Sequence, residues 1–270
     1  MGVTPLLECH QASFRIGRRH LVRDVSFALQ RGEVLAIAGA NGAGKSTLLR
    51  LLAGDLHPSK GGVSVVGRPL GSLRAKELAR LRAVLPQRSS IEFGFSVGEV
   101  VRMGLSAGHG EGTARDDRVV ADCLARAGIS HLADRSFPSL SGGEQARASF
   151  ARILAQRTQI LLLDEPTAAL DIRYQHLVLG EARRLASEGA GVIAVLHDLN
   201  LAAAYADRIL LLRHGETAAL GSCAEVLTGP ILSTVYDHPV DVIRDSVTGQ
   251  LLVVPRATTL TGSLVEAALS

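Results

Sequence analysis

The octapeptide Gly39-Ala40-Asn41-Gly42-Ala43-Gly44-Lys45-Ser46 limits the folds open to this chain more than any other feature. It fits the spacing G-x-x-x-x-G-K-S/T in full. An apolar run, Val34-Leu35-Ala36-Ile37-Ala38, leads into it, and a helix is predicted from Thr47 to Leu52 with Gly54 as its stop. Strand, glycine loop and helix in that order aim backbone N–H groups and a helix N-terminus at one spot, where phosphate oxygens are stabilised. Lys45 adds a cation for the outer phosphates of a nucleotide. Ser46 offers a hydroxyl to Mg²⁺, and Thr47 lies in reach of the inner phosphates.

The rest of the chain supplies a sheet for that strand. Residues 6–38 read as short strands, with alternation at Val25-Ser26-Phe27-Ala28-Leu29. A hairpin over 62–68, a charged helix from Arg74 to Arg82 and a strand at Ala83-Val84-Leu85 follow. Strands at 160–163, 192–196 and 208–212 are separated by helical stretches, which favours a mostly parallel sheet with helices on both faces. Between 89 and 139 the character changes. A loop around Phe93 leads to amphipathic helices from Val97 to Met103 and from Asp117 to Ala127, and Gly104-Leu105-Ser106-Ala107-Gly108-His109-Gly110 between them reads as a loop. Leu251-Leu252-Val253-Val254 after Thr248-Gly249 predicts a late hairpin.

Two more segments carry chemistry. Ile160-Leu161-Leu162-Leu163 is apolar on both faces, as a central strand must be, and ends in Asp164-Glu165. Asp164 can hold Mg²⁺ through water, and Glu165 beside an outer phosphate can orient and polarise an attacking water. Leu140-Ser141-Gly142-Gly143-Glu144-Gln145 precedes a helix predicted to run to Ala155. Ser141 is placed to cap that helix, and the glycine N–H groups form a second anion site.

Bulk properties narrow the partners. The 270 residues are 47% hydrophobic and 20% charged, a globular composition with enough length for a full core. A net charge of +3 and 3% aromatic residues give little to grip or stack nucleic acid. Cys9, Cys123 and Cys223 are odd in number and lack metal spacing, which points to free thiols in a reducing compartment. No secretion signal is evident, and the best apolar stretch, Val192 to Leu212, is broken by His197, Asp198, Asp207 and Arg208. Work at a membrane would need a partner to supply the pore.

Taken together, the three glycine- and carboxylate-bearing segments resemble the nucleotide-binding subunits of ABC transporters, over most of the chain. The motif order matches: Walker A at 39–46, a Q-loop glutamine at Gln87, the signature at 140–145, Walker B at 160–165, a D-loop at Ala169-Leu170-Asp171 and a switch histidine at His197. The resemblance implies an α/β fold, with a P-loop NTPase (RecA-like) mostly parallel core, a small antiparallel β subdomain and an inserted α-helical subdomain. It implies one ATP-binding domain over 1–270: the β and RecA-like core at 1–88 and 152–256, the helical subdomain at 89–151, and a C-terminal extension at 213–256. ATP and Mg²⁺ are the implied cofactors. Two copies would face head to tail, each ATP lying between Gly39, Asn41, Gly42, Gly44, Lys45, Ser46 and Thr47 of one copy and Ser141, Gly142, Gly143 and Glu144 of the other. Glu165, His197 and Gln87 are the implied catalytic residues, and Ser46, Gln87 and Asp164 the metal site. Asp171 would communicate across the dimer, and Phe14 would stack on adenine, although Ile16 sits nearer the usual spacing.

One motif set and no membrane segment are similar to an importer ATPase with a separate permease. Phe93 to Gly104 resembles importers of haem, siderophores and vitamin B12. Ala83 to Gln87, His197 to Arg208 and Val235-Tyr236-Asp237-His238-Pro239-Val240 look most like haemin-import subunits. The chain departs from them at Gly104 to His109, where relatives often carry Gly-Arg-x-Pro-His. The implied setting is the cytoplasmic face of a bacterial inner membrane, as a peripheral homodimer on a permease dimer, served indirectly by a periplasmic substrate-binding protein and with no nucleic acid. A siderophore or vitamin B12 importer is the alternative. A soluble ABC ATPase for nucleic acids or ribosomes is less favoured, because Gln87 and Ser141 leave no room for a coiled-coil insertion. A P-loop kinase is disfavoured by Glu165. His109, His131 and His238 read as scattered surface residues rather than haem ligands.

Overall fold

The computed structural model describes residues 4–87, 94–108 and 114–257. The expected loop around Phe93, and His109, lie outside them. The chain opens with β1 (Leu7–Ile16), β2 (Arg19–Leu29) and β3 (Val34–Gly39), then α1 (Lys45–Ala53). The first two strands are long, at 10 and 11 residues, where short ones were expected. Next come β4 (Lys60–Val65), β5 (Arg68–Pro69), α2 (Ala75–Leu81) and β6 (Arg82–Leu85). Three helices follow, α3 (Val97–Gly108), α4 (Ala114–Arg126) and α5 (Gly142–Ala155). Then β7 (Ile160–Asp164), α6 (Ile172–Ser187), β8 (Gly191–Val195), α7 (Leu199–Tyr205) and β9 (Arg208–Arg213) alternate. The end is β10 (Glu216–Ser222), α8 (Cys223–Val226), α9 (Gly229–Tyr236), β11 (Val240–Arg244) and β12 (Leu251–Pro255).

Six strands form the central sheet in the order β10-β9-β3-β8-β7-β6, parallel except for β10 at one edge. Its strands are apolar on both faces, and the alternation of side chains splits them between two cores. Ala36, Leu161, Leu163, Ala194 and Leu211 face a core completed by α3 to α7. Leu35, Ile37, Leu162, Ile193 and Leu210 face the other, which α1 and the antiparallel sheet β2-β1-β4-β5 close. That second face is therefore covered mainly by strands, where the sequence suggested helices on both sides. The late hairpin forms as expected, β11 with β12.

A third expectation fails as well. Gly104 to Gly108 continues α3 and is not a loop. Gly104 lies where α3 crosses α5: a Cβ built on it would stand 2.1 Å from the Arg152 carbonyl oxygen and 3.0 Å from the Ala155 Cβ. Leu105 beside it is buried. The glycine is there for close helix packing, a use that costs helix propensity of about 1 kcal/mol relative to alanine and looks like a breaker in the sequence.

Candidate functional site

Strand β3 delivers the chain at the carboxyl edge of the sheet, and the loop Ala40 to Gly44 turns it into α1. The backbone turn is forced. Gly44, the residue before α1, has φ +100°, and a Cβ on it would stand 2.3 Å from the Leu21 carbonyl oxygen of β2. Only glycine meets both demands. Lys45 is buried, and its ammonium donates to the carbonyl oxygens of Gly39 at 2.7 Å and Ala40 at 3.0 Å. Burial pushes its pKa down, while Glu165 and Asp164 pull it up. Thr47 is half-buried, and Asn41 and Gly42 are exposed at the loop's rim.

Strand β7 brings the two carboxylates to the same edge. Asp164 accepts a hydrogen bond from the Ser46 hydroxyl at 3.3 Å. Burial and then the neighbouring Glu165 push its pKa up, with Ser46 and Lys45 opposing. Glu165 has φ +50°, a left-handed conformation that a residue with a Cβ adopts only under tertiary constraint. Both its oxygens are held: Gln87 Nε2 donates to Oε2 at 2.7 Å, and His197 Nε2 lies 2.6 Å from Oε1. Gln87 follows β6 and His197 follows β8, so the two strands flanking β7 each contribute one partner. Three sequence-predicted residues thus meet at one carboxylate.

The second glycine segment shares a cavity of about 380 Å³ with the carboxylates: Gln87, Asp164, Glu165, Gly142 and Gln145 all line it. Ser141 caps α5 as expected: its hydroxyl donates to the Glu144 carboxylate at 2.8 Å, and the Glu144 N–H returns to it at 3.4 Å. The Ser141 N–H also reaches Glu144, at 2.8 Å, and these bonds hold the Glu144 carboxyl below its ordinary range. Ser141 and Gly142 are exposed. Gly143 is tight, 3.0 Å from the Ala169 carbonyl oxygen to a built Cβ, but Gly142 would meet nothing within 4 Å and has no positive φ. Asp171 caps α6 through the Tyr174 N–H at 3.1 Å. The first turn of α6 is pinned to α5 by Arg147, whose guanidinium lies 3.7 Å over the Tyr174 ring and donates to the Gly128 carbonyl at 2.8 Å. Phe14 packs against the strand-covered core, and Ile16 is 65% exposed. His131 is exposed, and His238 Nε2 lies 2.8 Å from the Arg256 carbonyl oxygen.

Sequence reasoning passed over three residues. Ile172, 75% exposed beside Asp171, shows only as an apolar residue at a helix start. Arg147 reads as one of many arginines. Asn200 stands three residues after His197 and binds the late hairpin, a contact no spacing reveals.

A buried lysine in a glycine loop, a Ser–Asp pair and a glutamate gripped by Gln and His define a nucleoside-triphosphate-hydrolysing class of site on a mostly parallel sheet. The chain belongs to the ABC transporter family, whose model matches residues 22–168. It is 50% identical over 253 residues to the hemin import ATP-binding protein HmuV of Thermobifida fusca (strain YX), covering 93% of this chain and 89% of that protein. It is 53% identical over 241 residues to the HmuV protein of Streptomyces coelicolor, covering 89% and 86%. Among solved structures, a metal-chelate type ABC transporter in an inward-facing conformation superposes with TM-score 0.81 at 30% identity, over 96% of this chain and all of that one. A dimeric bacterial ABC transporter cassette gives TM-score 0.74 at 26% identity, over 80% and 98%. Among the described residues no helix is long and apolar enough to cross a membrane.

Proposed function

We propose that this chain is the ATP-hydrolysing subunit of a haem importer, a homodimer bound to a permease dimer at the cytoplasmic face of a bacterial inner membrane. The observation that carries the catalytic part is Glu165, held on both oxygens by Gln87 and His197 beside the buried Lys45 loop. In ATP hydrolysis a water attacks the terminal phosphorus and the bond to the bridging oxygen breaks, giving ADP and phosphate. Glu165 orients that water and accepts its proton. His197 leaves Glu165 to hold the outer phosphate, and Gln87 turns to the water. Lys45 exchanges the Gly39 and Ala40 carbonyls for phosphate oxygens, a stronger pairing for a desolvated cation. The backbone of Gly39, Asn41, Gly42 and Gly44 and the Ser46 and Thr47 hydroxyls line the phosphates. The exposed Ile16 flanks the adenine beside the more buried Phe14.

Mg²⁺ fits the site. Ser46 and Asp164 present two hard oxygen donors to one place, and a bound cation would offset the burial and the Glu165 charge that push the Asp164 pKa up. Ser46, Asp164 and Gln87 would hold the ion, which supplies charge neutralisation for the phosphates.

Gly142 supports the homodimer. It is exposed, with open space at its Cα, and so leaves room for the nucleotide of a second copy. The core of 1–88 and 152–256 would bind ATP, and the helical part, 89–151, would face the permease, with Phe95 and Met103 each more than a third exposed there. A periplasmic binding protein would hand over the substrate. Haem rests on the names of the relatives, and a metal-chelate transporter among the structural neighbours agrees with that class.

Co-expression with the permease, reconstitution of the complex in vesicles and ATP-driven uptake test the proposal. Haemin should be taken up in preference to a ferric siderophore or cobalamin. Uptake of either of those without haemin would contradict the substrate, and ATPase activity that no membrane partner stimulates would contradict the coupling.

A further inference from the structure

The late hairpin β11–β12 is tied to the helix that follows His197. Its hydrogen-bonded pairs can be read from its ends: the Arg256 N–H donates to Pro239 O at 3.0 Å, and the Asp245 N–H donates to Gln250 O at 2.9 Å. Alternation along an antiparallel ladder then makes Val242–Val253 a non-hydrogen-bonded pair, so the Val253 N–H and C=O point away from β11. They do not face water; Val253 is buried. They meet one side chain. Asn200 Oδ1 accepts from the Val253 N–H at 2.7 Å, and Asn200 Nδ2 donates to the Val253 carbonyl at 3.4 Å. The amide of Asn200 stands in for a third strand at this one position.

Asn200 is in the first turn of α7. Asp198 caps that turn, accepting from the N–H groups of Asn200 at 2.7 Å and Leu201 at 3.2 Å. His197 directly precedes the cap, exposed, its ring on Glu165. A cavity of about 430 Å³ opens between His197, Asp198, Tyr236, His238 and Pro255, so the His197 loop has space beside it on the hairpin side. Asn200 spans that space.

We propose that Asn200 is a positioning residue for His197, and that the β11–β12 hairpin is the anchor it uses. The clip fixes the start of α7 and with it the backbone of His197, so the ring can shift between Glu165 and the outer phosphate without its loop sagging into the cavity. The claim rests on the reading of His197 as the residue that holds the outer phosphate. A loop displaced by a fraction of an ångström would lose transition-state contacts before ground-state ones, so the cost falls on kcat.

Three variants of the full chain test it through kcat and KM for ATP, with Glu165→Gln as the inactive control. Asn200→Leu keeps the volume and removes both bonds. Val253→Pro removes the N–H from the other side, at an edge position where proline leaves the β11 ladder intact. Asn200→Asp keeps the acceptor for the Val253 N–H but sets a carboxylate oxygen against the Val253 carbonyl where Nδ2 donated. Asn200→Leu and Val253→Pro should lower kcat about tenfold or more with KM within about twofold, and Asn200→Asp, which keeps one of the two bonds, should lower kcat less than Asn200→Leu. If Asn200→Leu does not fold, Val253→Pro carries the same test with Asn200 untouched. Wild-type kcat in both variants, or a matched rise in KM, overturns the positioning role while leaving ATP hydrolysis in place. Turnover that survives Glu165→Gln overturns both.

Discussion

Two glycines, Gly44 and Gly142, head helices that point at phosphate in the proposed site, and they differ in what requires them. Gly44 is demanded from within: φ +100° and the Leu21 carbonyl oxygen 2.3 Å from any Cβ leave no other residue possible. Gly142 is demanded by nothing inside the chain, since a Cβ there meets open space. The first loop is finished by its own fold. The second has room at Gly142 for a group from outside the chain, as the proposed sharing of nucleotide between two copies requires.

The largest effect should come from the finished side. Glu165→Gln keeps the hydrogen bonds' size and shape and removes the charge, so ATP binding should persist while turnover falls by about 10²-fold or more, measured as phosphate release. Gly44→Val sharpens the contrast with Gly142→Val. The former should lose ATP affinity and melt several degrees lower. The latter should melt within about 2 °C of wild type, as surface changes do, and still lose at least tenfold in ATPase rate. Equal melting losses in the two would erase the distinction.

Helix packing should respond next. Gly104→Ala forces a Cβ against the Arg152 carbonyl, and denaturant unfolding should show a loss of about 1–3 kcal/mol from overpacking, although alanine favours helix. The smallest effect is expected at Glu181 of α6, which Arg126 of α4 holds at 2.6 Å through Nε and Arg184 at 2.8 Å through Nη2. Burial raises its pKa, but the bonds from Arg184 and Arg126 outweigh that and keep it below 4.5. A carboxyl depressed in the folded state adds stability above its unfolded pKa, and that share is lost as pH falls through the folded one. Glu181→Gln should cost about 1 kcal/mol at neutral pH and show a flatter decline in stability below about pH 4.5.

Legibility in the sequence follows the same divide. The Lys45 loop, the Asp164-Glu165 strand end and the cap at Ser141 were readable because each is a short contiguous pattern. So were the two-sided apolar strands. Gly104 was misread because a glycine announces a missing side chain without saying whether the backbone turns there or a neighbouring helix approaches. The left-handed φ of Glu165 has no residue-type signal, and the grip of Gln87 and His197 on its carboxylate joins residues 78 and 32 positions away in the chain. The Asn200 clip depends on which face of β12 its peptide turns outward, and that is settled only when Val242 and Val253 pair.

The most direct measurement is sedimentation of the Glu165→Gln chain with and without ATP. The account predicts a 28.4 kDa species alone that doubles its mass when ATP is added, and no doubling when Gly142→Val is combined with it. A chain that stays single with ATP bound, while the wild type hydrolyses at a rate per subunit independent of concentration, would contradict it.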